Sequence, residues 1–286
     1  MGSSEVSVST HLCSEVHVWP QDYLSDPDVC IEFVSNLCAK QRFDLIIPCT
    51  DRETVTLQRH ASELPPIACS DASVSEVFFD KYLTAQSFSR LGIPFARSVL
   101  PSEYTNSFPE VVVKPRTGGL SHGIHFNPSS VSKYGDDFIV QPFLTGKEIT
   151  TAFYVNRSGL LHSHITLSRQ LSHGTTVACE TTDEGAPQVR SILDKMMKAF
   201  AIRGSCNIQS KITESGDVIP FEVNGRVSGT ASIRAQFGFE DVKYLIQEYV
   251  YGVQPTPTVV RSGRAFRMLI DVIEFSDMQD QPYYFI

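Results

Sequence analysis

The chain has 286 residues, 42% hydrophobic and 20% charged, the make-up of an ordinary globular protein with apolar material for a sizeable core. Its formal net charge of −8 argues against a broad electrostatic footprint on nucleic acid or on an anionic membrane, although a few local Lys residues could still serve a phosphate ligand. Seven cysteines without a CxxC pair, no apolar leader and no stretch of membrane-spanning length lead us to expect reduced thiols in a cytoplasmic protein.

In chain order, residues 15–19 (EVHVW) alternate like a strand, and Val29 to Leu37 has helical spacing. The apolar run 44–49 (DLIIPC) reads as a strand followed by a helix from about Asp51. The first 80 or so residues are therefore expected to form a thin α/β unit. Asp80 to Leu91 reads as a helix stopped by Gly92-Ile-Pro94. Strands are expected at Val111–Lys114 and Phe138–Gln141, and a hairpin at Thr150–Val155 and Leu160–Leu167. Pro187 to Phe200 is an amphipathic helix, with Ile192, Leu193, Met196, Met197 and Phe200 on one stripe. A second hairpin pairs Cys206–Thr213 with Val218–Val223. A helix at Asp241–Tyr251 ends on Gly252, and a last strand covers Ala265–Phe275. The pattern is α/β or α+β, with mostly antiparallel pairing in the C-terminal half.

Three segments carry chemistry. In the first, 111–124 (VVVKPRTGGLSHGI), a lysine ends a buried strand before a loop containing Gly118, Gly119, Ser121 and Gly123. A lysine there needs an anion, and glycines let backbone N–H groups approach phosphate oxygens. The bland alternative is a flexible hairpin loop whose strand happens to end in Lys. In the second, 138–148 (FIVQPFLTGKE), Pro142 has no N–H for a ladder, so the broken edge leaves neighbouring backbone groups free for a base. Glu148 is placed to accept from ribose hydroxyls; the alternative is a bend with a solvated Glu. In the third, 207–226 (NIQSKITESGDVIPFEVNGR), Gln209 lies on one hairpin strand, and Glu222 and Asn224 share a face of the other. Oxygen donors on one face suit Mg²⁺, against the alternative of a polar outer ribbon face. Arg226 follows in the same register, placed to stabilise a transferring phosphoryl group.

Taken together and in this order, the segments resemble the ATP-grasp superfamily, in the branch similar to carbamoyl-phosphate synthetase and amino-acid ligases. The resemblance runs from about residue 40 to 275 and is most specific at FEVNGRVSGT (221–230). It implies an α+β fold that holds a nucleotide between two subdomains. The expected boundaries are a truncated N-terminal α/β unit at 1–78, a lid subdomain at 79–142 and a larger subdomain with the metal site at 143–286. It further implies that Lys81 and Lys114 hold the ATP phosphates, that residues 118–123 close over them, and that Gln141, Phe143 and Leu144 form the adenine hinge. Glu148 would bind ribose, Gln209, Glu222 and Asn224 would bind Mg²⁺ (Mn²⁺ as an alternative), and Arg226 would be catalytic. Arg169 is a weaker candidate for phosphate.

The implied activity is an ADP-forming ligase that activates a carboxylate as an acyl phosphate and joins it to an amine, both small molecules. Neither nucleic acid nor membrane is an expected partner. A nucleotide-binding subunit of a larger complex and a carbamoyl-phosphate-type synthetase half stay open, as does a homodimer or a second subunit completing the N-terminal unit. His162 and His164 alternate on one strand and are expected to face the surface, and His122 and His125 belong to the loop region.

Overall fold

The computed structural model describes residues 13–20, 22, 26–119, 123–172 and 174–268, together with the backbone of two short strands at 272–273 and 284–285. Ser121 and His122 lie outside the described residues. Helix α1 (Pro27–Lys40) starts where Asp26 caps the N–H of Asp28, with Pro27 in the first turn. Helix α2 (Asp51–Arg59) opens on a full capping box, in which Thr50 and Glu53 satisfy each other's backbone N–H groups. This box fixes Asp51 at the first helical position.

Helices α3 (Ala72–Phe79) and α4 (Lys81–Arg90) follow, and Asp80 is both the end of α3 and the side-chain cap of α4. The helix expected at Asp80 to Leu91 is α4, and α3 is a further helix before it that the spacing does not reveal. The strands expected at 15–19 and 44–49 are reduced to a single-residue bridge at Val18 and a parallel bridge between Ile46 and Ile67. With so few ladder bonds, helices dominate the unit. Its small core gathers Trp19, Val34, Leu57 and Ile67.

A small antiparallel sheet follows, made of β1 (Val111–Pro115), β2 (His125–Phe126) and β3 (Phe138–Pro142) in the order β2-β1-β3. The six-stranded sheet is built from β4 (Lys147–Val155), β5 (Leu161–Ser172), β6 (Thr175–Thr181), β7 (Gly204–Ile212), β8 (Val218–Asn224) and β9 (Arg264–Phe266). Its order is β8-β7-β4-β5-β6-β9, and every pairing is antiparallel. Helix α5 (Ala186–Ala199) connects β6 to β7, and α6 (Ala231–Gln236) and α7 (Asp241–Tyr249) follow β8. The last expected strand is confined to Arg264–Phe266 before residue 268, with a separate short ladder between β10 (Val272–Ile273) and β11 (Tyr284–Phe285).

The period of two along the central strands divides their residues between two faces. On β4, Ile149, Phe153 and Val155 enter one core with Leu193 and Met196 of α5 and with Val74, Phe78 and Phe88 of α3 and α4. The alternate residues Ala152 and Tyr154 enter the opposite core beneath Tyr244 and Leu245 of α7. Glu148 and Thr150 share that second face nearer the start of β4, where the sheet opens into a cavity that both residues line. Gly146 makes the turn into β4 with φ of +118°, and a Cβ there would sit 2.0 Å from the Ile212 carbonyl oxygen, so only glycine fits. Among the described residues no helix is long and apolar enough to cross a membrane, and all seven cysteines are unpaired.

Candidate functional site

The cavity has a volume of about 870 Å³ and lies between the small sheet and the open end of the large one. Its walls carry Lys81, Lys114, Arg169, Lys211 and Arg226 against Asp51, Glu148 and Glu222. A concentration of cations inside a chain of net charge −8 points to an anionic ligand.

Lys114 lies near the end of β1, which runs one residue further than the sequence reading expects, to Pro115. It is 5% exposed, and its Nζ donates to the Phe221 carbonyl at 3.2 Å and lies 5.2 Å from the Phe221 ring centre. Burial pulls its pKa down to about 8, against the partial restoring pull of Glu222 and Glu148 and with the added repulsion of Lys81. Lys81 occupies the first turn of α4 and donates to the Gly118 carbonyl at 2.8 Å, with Glu222 Oε1 at 3.9 Å. Gly118 adopts φ of +108° with nothing within 4 Å of where a Cβ would stand, and Gly119 beside it also lines the cavity. The loop base is tied down by Arg116, which bridges to Asp80 and donates to the Asp136 carbonyl.

The β7–β8 hairpin delivers Gln209, Glu222 and Asn224 to one face. Gln209 stands opposite Glu222, and Asn207 opposite Asn224, with a bulge between Gln209 and Ser210. Two of the three side-chain oxygens are held by arginines. Gln209 Oε1 accepts from Arg169 Nη2, and Asn224 Oδ1 accepts from Arg226 Nη2 at 2.7 Å. Each arginine is in turn braced by a carboxylate: Arg169 by Glu148 at 2.8 Å and Arg226 by Asp51 at 2.7 Å. Lys211 also reaches Glu148, at 3.3 Å. Asn224 is 2% exposed, and its Nδ2 is buried without a partner among the described residues. The donor Arg226 fixes which way this amide points, so its N–H₂ faces a place where an acceptor belongs.

On the remaining wall, Gln141 lines the cavity but turns its amide into the fold, donating to Ser98 Oγ at 2.8 Å. The backbone freedom expected around Pro142 is only partly present. The Phe143 N–H is spent on the Glu110 carbonyl at 2.9 Å, because β3 pairs with β1 through Pro142. Leu144 also lines the wall. Phe126 packs edge-to-face on Phe143, ring centres 5.9 Å apart, and both line the mouth. The histidines expected to face the surface are corrected. His162 and His164 are half-buried, and His162 packs against Tyr154 and Tyr244 and bonds the Thr256 carbonyl at 3.1 Å.

Sequence reasoning missed Asp51, which comes from the N-terminal unit 175 residues before Arg226. It also missed Arg234 of α6, fully buried in an ion pair with Asp241 of α7. Arg234 donates to Ser228 Oγ at 2.6 Å and Thr230 Oγ1 at 3.1 Å, and so anchors the turn at the far end of the cavity. Nothing at the level of local spacing marks either residue.

The sequence profile of the ATP-grasp domain matches residues 78–230, 153 of the 286 positions. The chain belongs to the ATP-grasp family. Its fold is that family's α+β fold, and solved structures repeat it. N5-carboxyaminoimidazole synthetase from Staphylococcus aureus, complexed with ADP, superposes with a TM-score of 0.71 at 12% identity, covering 91% of this chain and 71% of that one. The biotin carboxylase domain of 2-oxoglutarate carboxylase from Hydrogenobacter thermophilus, in complex with MgADP, ADP and bicarbonate, gives 0.71 at 15% identity, covering 89% and 64%. An L-amino acid ligase from Bacillus licheniformis gives 0.64 at 14% identity, covering 80% and 62%. At these identities the likeness is one of fold, and the chain spans between 62% and 71% of the three structures. No curated protein sequence matches the chain.

Proposed function

We propose that this chain is an ATP-dependent, ADP-forming ligase that activates a carboxylate as an acyl phosphate and joins it to an amine. The observation that carries the reading is Lys114. It is a buried lysine whose Nζ donates, among the described residues, to the Phe221 carbonyl, and it lines the same cavity as Gln209, Glu222 and Asn224. A buried cation left this under-compensated is costly, and a polyphosphate would supply the missing charge. The ATP-grasp relatives solved with ADP and with MgADP support this choice of ligand, and the one named as an L-amino acid ligase supports carbon–nitrogen joining.

In this reading Lys81 and Lys114 hold the phosphates, and Gly118 and Gly119 bring backbone N–H groups to them, with Ser121 belonging to the same loop. Gln141, Phe143 and Leu144 form the wall against adenine, where Phe143 offers its ring. Glu148, released from Arg169, takes the ribose hydroxyls. We place the lid within 79–142 and the metal face within 143–286.

Among the described residues no cluster of three His, Cys, Asp or Glu is present that could hold a metal. Glu222 fits a Mg²⁺ or Mn²⁺ shared with ligand phosphates and not one caged by protein alone, and the amide oxygens of Gln209 and Asn224 join it once Arg169 and Arg226 release them. Glu222, Gln209 and Asn224 would hold the ion, which when bound supplies neutralisation of phosphate charge. Arg226 stands beside this face and stabilises charge on the transferring phosphoryl group. The carboxylate and the amine are both small molecules that enter at the end walled by Thr50, Asp51 and Ser228.

The test is ADP release, screened over the common amino acids and small carboxylates singly and in pairs. A signal that needs two partners is the expected result. Glu222→Ala should cut that rate by roughly 100-fold or more, the scale of removing a preorganised charge from a phosphoryl-transfer site. A rate equal to wild type would sink the metal assignment.

A further inference from the structure

Arg226 is held by an acid that lies outside the sequence matched by the family profile. Asp51 sits in the first turn of α2, its position fixed by the Thr50–Glu53 capping box, and it lines the cavity beside Thr50. Both bonds from Arg226 land on one of its oxygens, Oδ2, at 2.7 and 3.2 Å. Its other oxygen, Oδ1, accepts no bond among the described residues. The two remaining acids of the cavity are engaged. Glu148 is divided between Arg169 and Lys211, and Glu222 lies beside Lys81 on the metal face. Asp51 is therefore the one cavity carboxylate among the described residues that combines a spare acceptor with a location off the metal face. Burial raises its pKa above the ordinary carboxylate value, Arg226 and Lys81 pull it back, and Glu222 pushes it up.

We propose that Asp51 is a catalytic residue of the joining step: Oδ2 holds Arg226 in place, and Oδ1 receives the incoming amine and takes its proton. The proposal rests on the ligase reading above. In the step, the amine lone pair attacks the carbonyl carbon of the acyl phosphate and the C–N bond forms. The bond from that carbon to the phosphate oxygen breaks, and inorganic phosphate leaves with the electron pair. The proton lost by nitrogen goes to Asp51 Oδ1 and from there to the departing phosphate, which leaves Asp51 ionised for the next turnover. Arg226, fixed by the same carboxylate, stands where negative charge collects on the leaving oxygen. One side chain thus links the N-terminal unit to both reacting partners.

The experiment separates activation from joining. Wild type, Asp51→Asn and Asp51→Glu are given MgATP and the common amino acids together with acetate and succinate as carboxylates. The acyl phosphate is trapped in one arm with hydroxylamine, which is neutral at pH 7 and needs no base, and is joined in the other arm to ammonium chloride or to the amino acids. A general base contributes roughly 100-fold or more. Asp51→Asn is therefore expected to lower the ratio of amide to hydroxamate about 100-fold, with Asp51→Glu recovering part of it. An unchanged ratio overturns the proposal: equal losses in both arms would make Asp51 a brace for Arg226 only, and no loss in either would make it a bystander. If wild type makes no hydroxamate from any of these carboxylates, the ligase reading itself fails and this proposal falls with it.

Discussion

At the residue scale, Lys114 makes the ligand reading measurable. Its ordinary value of 10.5 is pulled down to about 8 by burial. Below pH 8 the ligand-free fold therefore carries a buried charge at a cost, and that cost fades as pH rises from about 8 towards 10.5. A bound polyphosphate reverses the balance by stabilising the charged form, so binding draws a proton onto Lys114 above pH 8. The Kd for MgADP should accordingly weaken about tenfold between pH 7 and pH 9, since a group titrating near 8 is mostly neutral at the upper value. Lys114→Met should weaken binding at pH 7 by about 10- to 100-fold, as expected for losing a hydrogen bond to a charged group, and should flatten the pH dependence. Calorimetric titration with MgADP across this range reads both effects. A wild-type Kd that stays level from pH 7 to 9 would remove Lys114 from the phosphate site. This lysine was legible in the sequence because a Lys at the end of an apolar strand is anomalous by itself. Asp51 was not, since an Asp at a helix start is the commonest thing a helix has, and only the fold carries it to Arg226.

Among the elements, the anchoring of α6 to α7 is the feature most open to test. Arg234 and Asp241 are 0% and 1% exposed, and Ser205 of β7 joins them through the same carboxylate. Removing one partner of such a pair leaves an uncompensated buried charge, a loss of about 3–5 kcal/mol. Arg234→Met should lower the melting temperature by roughly 10 °C in a chain of this size and should loosen the Ser228–Thr230 turn. The double variant Arg234→Met with Asp241→Leu should recover much of the stability, because paired apolar groups replace a desolvated ion pair at little cost. A single variant that melts like wild type would mean that the pair does not brace this turn.

The elements themselves were legible to different degrees, for a common reason. The strands β4, β5 and β7 and the helix α5 follow periods of two or 3.6, and β1, β3 and β8 show as short apolar runs bounded by turn residues, so the elements could be placed from spacing and composition. The runs at 15–19 and 44–49 are short, and among the described residues they form single bridges and no ladder, so apolar alternation was misleading there. Helix α3 was hidden because Asp80 serves two helices at once, and the Phe143 N–H was claimed by Glu110, a pairing set by sheet register.

For the whole molecule, the issue is how far the N-terminal unit is separable from the rest. The division read from sequence puts a boundary after residue 78, and the profile of the ATP-grasp domain starts there too. Physically, that boundary falls inside α3 and cuts the main core. Val74 and Phe78 are 4% and 3% exposed within the cluster formed by β4, β7, β8 and α5, and Phe78 stacks edge-on against Phe88 and Phe200. Ser70 exchanges hydrogen bonds with the Arg203 backbone just before β7, and Ala68 joins the second core beneath α7. Burying two such large apolar side chains contributes about 3–6 kcal/mol, a large part of the roughly 5–15 kcal/mol that holds an ordinary domain together. A chain spanning 79–286 should therefore fail to show a cooperative melt, or melt well below the full chain. One spanning 66–286 restores Ala68, Ser70, Val74 and Phe78 and should regain cooperative unfolding, yet still lack Asp51. Circular dichroism melts of the three chains would decide. If 79–286 unfolds as cooperatively as 66–286, the family boundary is a true domain boundary, and α3 belongs to the N-terminal unit. If only 66–286 is cooperative, the folded body begins before the sequence motif that identifies it, and a folded body without Asp51 becomes a second, independent test of the joining role proposed for that carboxylate.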